Sequence, residues 1–130
     1  LALASVLSLQ PEILIVDEPT TGQDPRMAKE IFEILKRLNE AGTTILIITH
    51  HIELAATYAR RAVVLREGEI VFDGPVRTLL MKAELMKDSA LEMPETTRLA
   101  SLMSSHGIPS WLVTVDELDQ PIGSVVGNRS

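Results

Sequence analysis

Two unbroken runs of aliphatic residues constrain the fold of this chain more than any other feature. They are Ile13-Leu14-Ile15-Val16 and Ile45-Leu46-Ile47-Ile48. Neither run alternates with polar residues, and such a pattern is typical of a strand that is buried on both faces of a parallel sheet. We therefore predict two buried parallel strands.

The segment between the two runs predicts one amphipathic helix. Asp24 suits the N-cap, Pro25 suits the first helical position, and Ala41-Gly42 supplies the stop. Apolar residues recur between them at helical spacing, namely Met27, Ile31, Ile34, Leu35 and Leu38. A strand, a helix and a strand of these lengths make a βαβ unit, so we expect the two strands to be parallel neighbours.

Further elements are predicted on both sides of this unit. Residues 1–9 indicate the end of a helix, which Pro11 closes. After the second strand we expect a short helix at residues 52–59, with His51 at its beginning. Two strands follow at residues 62–66 and 69–73, and Glu67-Gly68 between them is typical of a tight hairpin turn.

The remaining residues are predicted to be mainly helical. Gly74-Pro75 opens a helix that ends near Met81, and residues 82–106 continue as helix with an interruption near Met93-Pro94. The tail from Ser110 has one apolar stretch, at residues 111–115, and is otherwise expected to be irregular. We place a domain boundary between residues 81 and 82.

Composition excludes several classes of protein. A chain of 130 residues with 45% hydrophobic and 23% charged residues is globular. Because cysteine is absent, disulfides, cysteine-based zinc sites and a thiol nucleophile are excluded. A formal net charge of −6 and an aromatic content of 3% argue against a nucleic-acid partner. No apolar run approaches the roughly 20 residues of a membrane-spanning helix, so we expect a soluble or peripheral chain.

Polar side chains follow both predicted strands, at the ends where ligands bind in open α/β sheets. Asp17 and Glu18 follow the first strand, and Thr49, His50 and His51 follow the second. A nucleotide hydrolase needs one carboxylate that holds Mg²⁺ and another that activates water, and a nearby imidazole can bond the phosphoryl group. Taken alone, Asp17-Glu18 also fits a strand end with solvated charges, and His50 alone also fits a helix cap.

In their order and spacing, these motifs resemble those of the ATP-binding cassette (ABC) ATPases. Residues 13–20, ILIVDEPT, are similar to the Walker B segment of that family. Residues 21–25, TGQDP, resemble its D-loop, and Thr49-His50 resembles its H-loop. Residues 1–10 are similar to the helix after the family's signature sequence, and residues 58–74 to the strand pair that closes its nucleotide-binding domain. The resemblance implies an α/β fold with a P-loop NTPase-type sheet.

The resemblance also implies roles for four side chains. Asp17 would coordinate Mg²⁺ through water, Glu18 would be the catalytic carboxylate, and His50 would contact the γ-phosphate of ATP. Asp24 would reach across a dimer interface to the partner's nucleotide. His51 departs from the family, which more often has an acidic residue there. His106 is expected only to end a helix.

The phosphate-binding loop G-x-x-x-x-G-K-S/T does not occur in the 130 residues. In the family this loop, the Q-loop and the signature sequence all lie upstream of the Walker B segment. We therefore expect residues 1–81 to be the C-terminal half of a nucleotide-binding domain, and residues 82–130 to be a helical extension. Alone, the chain is expected to have no ATPase activity and to aggregate through an exposed sheet edge and apolar face.

Two further segments favour one group within the family. Gln23 in the D-loop, and residues 94–99 with Ile108-Pro109 in the extension, resemble the energy-coupling factor (ECF) and cobalt or nickel importer ATPases. Such a protein would pair with a second ABC ATPase subunit, identical or paralogous. It would sit at the cytoplasmic face of the membrane, on a transmembrane coupling protein beside a substrate-binding membrane component.

Three alternatives stay open at this point. The first is an ATPase of another ABC transporter class. The second is a soluble ABC ATPase that works on DNA, chromosomes or ribosomes, and the third is a regulatory module whose residues 82–130 bind a partner. The second alternative predicts coiled-coil insertions, a tandem cassette or basic arms, none of which occurs in these residues. The acidic pair and His50 are intact, which argues against the third.

Overall fold

A computed structural model describes residues 11–119 and residue 121. The helix expected at residues 1–9 lies outside the described residues. The chain forms two compact units, Leu1–His50 and His51–Ser130. We refer to them as the first unit and the second unit.

The first unit is the predicted βαβ unit. It contains β1 (Ile13–Asp17), α1 (Pro25–Glu40) and β2 (Thr44–Ile48). The two strands pair in parallel, from Ile13 opposite Thr44 to Asp17 opposite Ile48. Helix α1 packs against β2. The two carboxyl ends therefore lie side by side, and this arrangement positions the candidate site.

The ends of α1 follow from local chemistry. The Asp24 carboxylate accepts hydrogen bonds from the backbone N–H groups of Arg26 and Met27, each at 3.0 Å, and Pro25 begins the helix. These bonds satisfy donors that have no partner within a helix. At the other end, Gly42 adopts a φ of 105°, a conformation that suits glycine. The predicted start and stop of the helix are confirmed.

The prediction that both faces of the parallel strands are buried is wrong for this chain. Leu14 is 5% exposed, but its neighbours Ile13 and Ile15 are 63% and 61% exposed. On β2, Leu46 and Ile48 are both 51% exposed. Neighbouring residues in a strand point to opposite faces, so one face of the sheet is apolar and exposed. This confirms the expectation of an exposed apolar face.

The second unit contains a hairpin and several short helices. Its elements in chain order are α2 (Ile52–Tyr58), β3 (Arg61–Arg66), β4 (Glu69–Pro75), α3 (Val76–Leu80), α4 (Ala83–Asp88), α5 (Glu95–Leu102) and a 3₁₀ turn (Ser104–His106). The predicted start of α2 at Ile52 is confirmed, whereas His51, which was also named as its first residue, is the N-cap. The interruption expected near Met93-Pro94 is confirmed, because α5 begins directly after it.

Strands β3 and β4 form an antiparallel hairpin, as predicted. The turn residues Glu67 and Gly68 have φ values of 52° and 85°, which match the tight turns that favour glycine. Strand β4 extends to Pro75, two residues further than expected, and Pro75 lies opposite Arg61. A proline is tolerated there because it ends the strand and needs no further ladder hydrogen bond.

Two hydrophobic clusters stabilise the second unit. The first comprises Ala56, Val64, Val76, Leu79, Leu80, Met86 and Val113, and the second comprises Ala100, Ile108, Leu112 and Leu118. Val113 and Leu112 lie in the apolar stretch that was predicted at residues 111–115. Residues 116–119 were expected to be irregular but are helical, so over these residues that expectation is wrong. Burial of these apolar side chains in the two clusters orders this segment. Such burial cannot be recognised from the neighbouring residues in the sequence.

Arg77 ties the tail to α3. Its guanidinium donates to the Glu117 carboxylate at 2.5 Å and 3.3 Å and lies 4.9 Å from the centre of the Trp111 ring. The hydrogen bond from Arg77 lowers the pKa of Glu117, and hydrogen bonds from the backbone N–H groups of Val113 and Thr114 act in the same direction against partial burial. The segment at residues 111–117 is therefore attached by charge as well as by apolar contact.

No helix within residues 11–119 is both long and apolar enough to cross a membrane.

Candidate functional site

The candidate site lies in the first unit, where β1 and β2 end side by side. Asp17 is the last residue of β1 and pairs with Ile48, the last residue of β2. The ladder continues one step further, because the Glu18 N–H donates to the Ile48 carbonyl at 2.8 Å. Glu18 is therefore held beside the residues that follow β2.

Glu18 and His50 are in direct contact although 32 positions separate them in the sequence. The Oε1 atom of Glu18 accepts two hydrogen bonds, one from the His50 backbone N–H at 3.0 Å and one from the His50 Nδ1–H at 2.7 Å. Because an ionised carboxylate can only accept, the proton of this bond belongs to Nδ1. The contact thus selects one tautomer and one orientation of the ring.

Both side chains of the pair stay accessible to solvent. The side chain of His50 is 70% exposed and that of Glu18 is 32% exposed. Within the Glu18 side chain, the Oε2 atom is itself buried. The structure therefore brings together two of the four predicted site residues, Glu18 and His50, by direct contact.

The backbone of Glu18 is strained. Its φ is 43°, in the left-handed region that side chains with a Cβ atom rarely adopt. The Thr21 N–H donates to the Glu18 carbonyl at 3.2 Å and closes a turn directly after the residue. Such strain costs on the order of 1–3 kcal/mol and clusters at functional sites. The sequence contained no signal for it, because the residue before a proline, here Pro19, normally favours extended backbone.

Asp17 and Asp24 have different surroundings. Asp17 is exposed at the end of β1. Mg²⁺ prefers oxygen ligands and retains several waters, so an exposed carboxylate at this position fits a water-mediated magnesium ligand. The contacts of Asp24 lie within its own helix start, where its Oδ1 caps α1.

Sequence reasoning missed Thr20 as an individual residue. It is one of two buried polar residues in the part of the chain that the structure describes, with 2% of its surface exposed. Within that part of the chain, no hydrogen-bond partner reaches its Oγ1 atom. Thr20 lies inside the turn that begins at Glu18, and the Gln23 N–H donates to its carbonyl at 3.1 Å. In the sequence, Thr20 was considered only as part of the Walker B-like segment at residues 13–20.

Comparisons with known proteins find relatives for most of this chain. The chain is 37% identical over 121 residues to an energy-coupling factor transporter ATP-binding protein, EcfA2, of Streptococcus pyogenes. The match covers 92% of this chain and 43% of that protein. EcfA2 of another Streptococcus pyogenes strain is 38% identical over 119 residues, which cover 90% of the chain and 42% of that relative. The chain thus spans less than half the length of the curated relatives it matches.

A solved structure and a family model extend the comparison. The structure of cbiO1 from Clostridium perfringens, described as part of the ABC transporter complex cbiONQ, is 34% identical. It matches with a TM-score of 0.58 over 75% of this chain and 39% of its own. The family model "AAA domain, putative AbiEii toxin, Type IV TA system" matches residues 1–56. With its α/β fold, this chain resembles the ATP-binding proteins of ABC transporters, and among them the energy-coupling factor members.

Proposed function

We propose that this chain supplies the catalytic carboxylate of the ATP-binding subunit of an ABC transporter, in an ECF-type importer of a vitamin or a metal ion. The observation that carries the proposal is the convergence of the His50 N–H and Nδ1–H on one oxygen of Glu18. This contact turns two separate sequence motifs into one site at the end of a parallel sheet.

Glu18 is the general base in this proposal. One carboxylate oxygen, Oε1, is held by two hydrogen bonds, so the side chain keeps a fixed orientation. His50 is the orienting residue, and its side chain, which is 70% exposed, would contact the γ-phosphate of ATP.

Asp17 would hold Mg²⁺ through water, and Asp24 would contribute to the nucleotide site of a second subunit. Bound Mg²⁺ supplies neutralisation of the charge on the phosphate oxygens of ATP. Asp17 suits this role because its carboxylate is exposed beside Glu18, at the end of β1. Asp24 retains an exposed position at the start of α1 while it caps the helix.

The partners in this proposal are a second ABC ATPase subunit and the membrane components of the transporter. Relatives with more than twice the length of this chain carry names that place them in energy-coupling factor transporters. The subunit would be peripheral, at the cytoplasmic face of the membrane. No ATPase activity is expected from the 130 residues alone, because they contain no phosphate-binding loop.

A transport role is favoured over a non-transport ATPase by the extent of the matches. The family model named for a toxin covers residues 1–56, whereas the transporter relatives match about nine tenths of the chain. Residues 82–130, which a degenerate interaction module would use alone, thus lie largely inside the transporter match.

The test is the Glu18→Gln variant of the full-length protein assembled with its partner subunits. We expect ATP binding to change little and the turnover number to fall by about 10² to 10⁴, because the amide cannot take a proton. Glu12→Gln is the matched control, since Glu12 is an exposed glutamate just before β1. Hydrolysis by Glu18→Gln at the wild-type rate would remove Glu18 from the mechanism.

A further inference from the structure

We propose that Thr20 is a positioning residue for Glu18, and that its hydroxyl is retained for function at the expense of stability. The inference rests on the proposed function of Glu18. It starts from an anomaly of burial: Thr20 is 2% exposed, and within residues 11–119 its Oγ1 atom has no hydrogen-bond partner. Buried polar groups in folded proteins are nearly always hydrogen-bonded, so an exception needs an explanation.

Packing alone does not explain why this residue is a threonine. Valine has almost the same shape and would fill the same space without a polar atom to desolvate. In a purely structural site, valine would therefore be equally stable or more stable. The hydroxyl is unfavourable in the structure as it stands, which indicates that it acquires a partner in the working protein.

The location of Thr20 indicates which residue a hydrogen bond to its hydroxyl would affect. Thr20 lies two residues after Glu18, within the turn that the Thr21 N–H closes onto the Glu18 carbonyl. The same turn holds Glu18 at its strained φ of 43° with Oε1 against His50. The buried side chain anchors the turn from inside, and a hydrogen bond to its hydroxyl would fix the direction in which Glu18 is presented.

The experiment compares Thr20→Val with Thr20→Ser in the full-length protein. Valine keeps the shape and removes the hydroxyl, whereas serine keeps the hydroxyl and removes a methyl group. We expect Thr20→Val to have an unchanged or higher melting temperature, a kcat lowered by about 10- to 100-fold and a KM for ATP within about twofold of wild type. Thr20→Ser is expected to retain most of the activity. Thr44→Val, at the opposite end of the same sheet, is the matched control and keeps the wild-type rate.

A second readout does not depend on hydrolysis. With ¹⁵N-labelled histidine, the bond from the His50 Nδ1–H to Glu18 gives an imidazole signal characteristic of that tautomer. In Thr20→Val this signal is expected to broaden or shift to that of a mixed tautomer, while Thr20→Ser retains it. This arm tests the positioning even if Glu18→Gln shows that Glu18 is not the general base.

Three results would overturn the proposal. A Thr20→Val protein with wild-type kcat and an unchanged His50 signal would show that the hydroxyl has no role. If Thr20→Ser were as slow as Thr20→Val, packing and not the hydroxyl would be responsible. If Thr20→Val lost stability instead of activity, the hydroxyl would be an ordinary structural donor.

Discussion

The two units of the chain each bury one threonine, and the two threonines have opposite surroundings. In the second unit Thr97 is fully buried, and its hydroxyl donates to the Leu112 carbonyl at 2.6 Å. In the first unit Thr20 is buried without such a partner among the described residues. A bonded hydroxyl contributes to folding, and one without a partner opposes it. The contrast suggests that the second unit is built for stability and the first for chemistry.

The two units also differ in their buried apolar residues. Among residues 11–50, which are the part of the first unit that the structure describes, the buried apolar residues are Leu14, Ala28, Phe32 and Leu35. The second unit has two clusters of buried residues and a charged attachment at Arg77. Local stability follows the amount of buried apolar contact. The first unit, which carries Glu18 and His50, is therefore expected to open more readily than the second.

The largest effect is expected from a cavity in the core of the first unit. Phe32 is 1% exposed, and Phe32→Ala should cost about 3–5 kcal/mol of stability, since the ring is removed and the space is only partly refilled. Amide hydrogen exchange in the full-length protein is the measurement. We expect protection to fall across β1, α1 and β2 and to persist at residues 61–102. An equal loss in both units would contradict the difference between them.

A smaller effect is expected from the bonded threonine. Thr97→Val leaves the Leu112 carbonyl without its donor in a buried position and should cost about 1–3 kcal/mol, measured by urea unfolding. Thr97→Ser retains the hydroxyl and serves as the control. If Thr97→Val were as stable as the wild type, the two threonines would not differ in their contribution to folding, and the comparison would fail.

The smallest effect concerns the charged attachment of the tail. The pKa of Glu117 is lowered in the folded protein from its ordinary value of 4.5, mainly by the hydrogen bond from Arg77. A carboxyl group with a lowered pKa stabilises the folded state above its unfolded pKa and loses this contribution as the pH falls through the folded pKa. The stability advantage of the wild type over Glu117→Gln should therefore be present at pH 7 and decline below about pH 4.5.

The expected size of this advantage is at most about 1 kcal/mol, because both side chains of the pair are about one third exposed. Urea unfolding between pH 7 and pH 3 measures it, and Glu53→Gln, an exposed glutamate in α2, is the control. An advantage that grew as the pH fell would show that the sign of the pKa shift is wrong.

Sequence patterns predicted most of the local structure correctly. The cap at Asp24, the stop at Gly42 and the turn at Glu67-Gly68 each depend on residues within a few positions of one another. Such short-range preferences can be recognised without the rest of the molecule. The burial of the strands was predicted less well, because exposure depends on which elements cover a face, and Ile13 and Ile15 are exposed.

Some features of the candidate site were predicted from the sequence, and others were not. The residue types and their order predicted that Asp17, Glu18 and His50 follow two neighbouring strands, and the resemblance to the ABC family rested on that order. The strained φ of Glu18, its double hydrogen bond from His50 and the buried hydroxyl of Thr20 were not predictable. The hydrogen bonds depend on the parallel pairing of β1 and β2, which brings together Glu18 and His50, 32 positions apart in the sequence.

The sequence by itself determined the βαβ unit, the hairpin, the helix ends and the family resemblance, because these follow from local preferences and from the order of motifs. Tertiary structure alone decided which strand face is exposed, how the tail at Val113 joins a hydrophobic cluster, and how Glu18 meets His50. The physical reason is that burial and long-range hydrogen bonds belong to pairs of segments, and neither segment reports them alone.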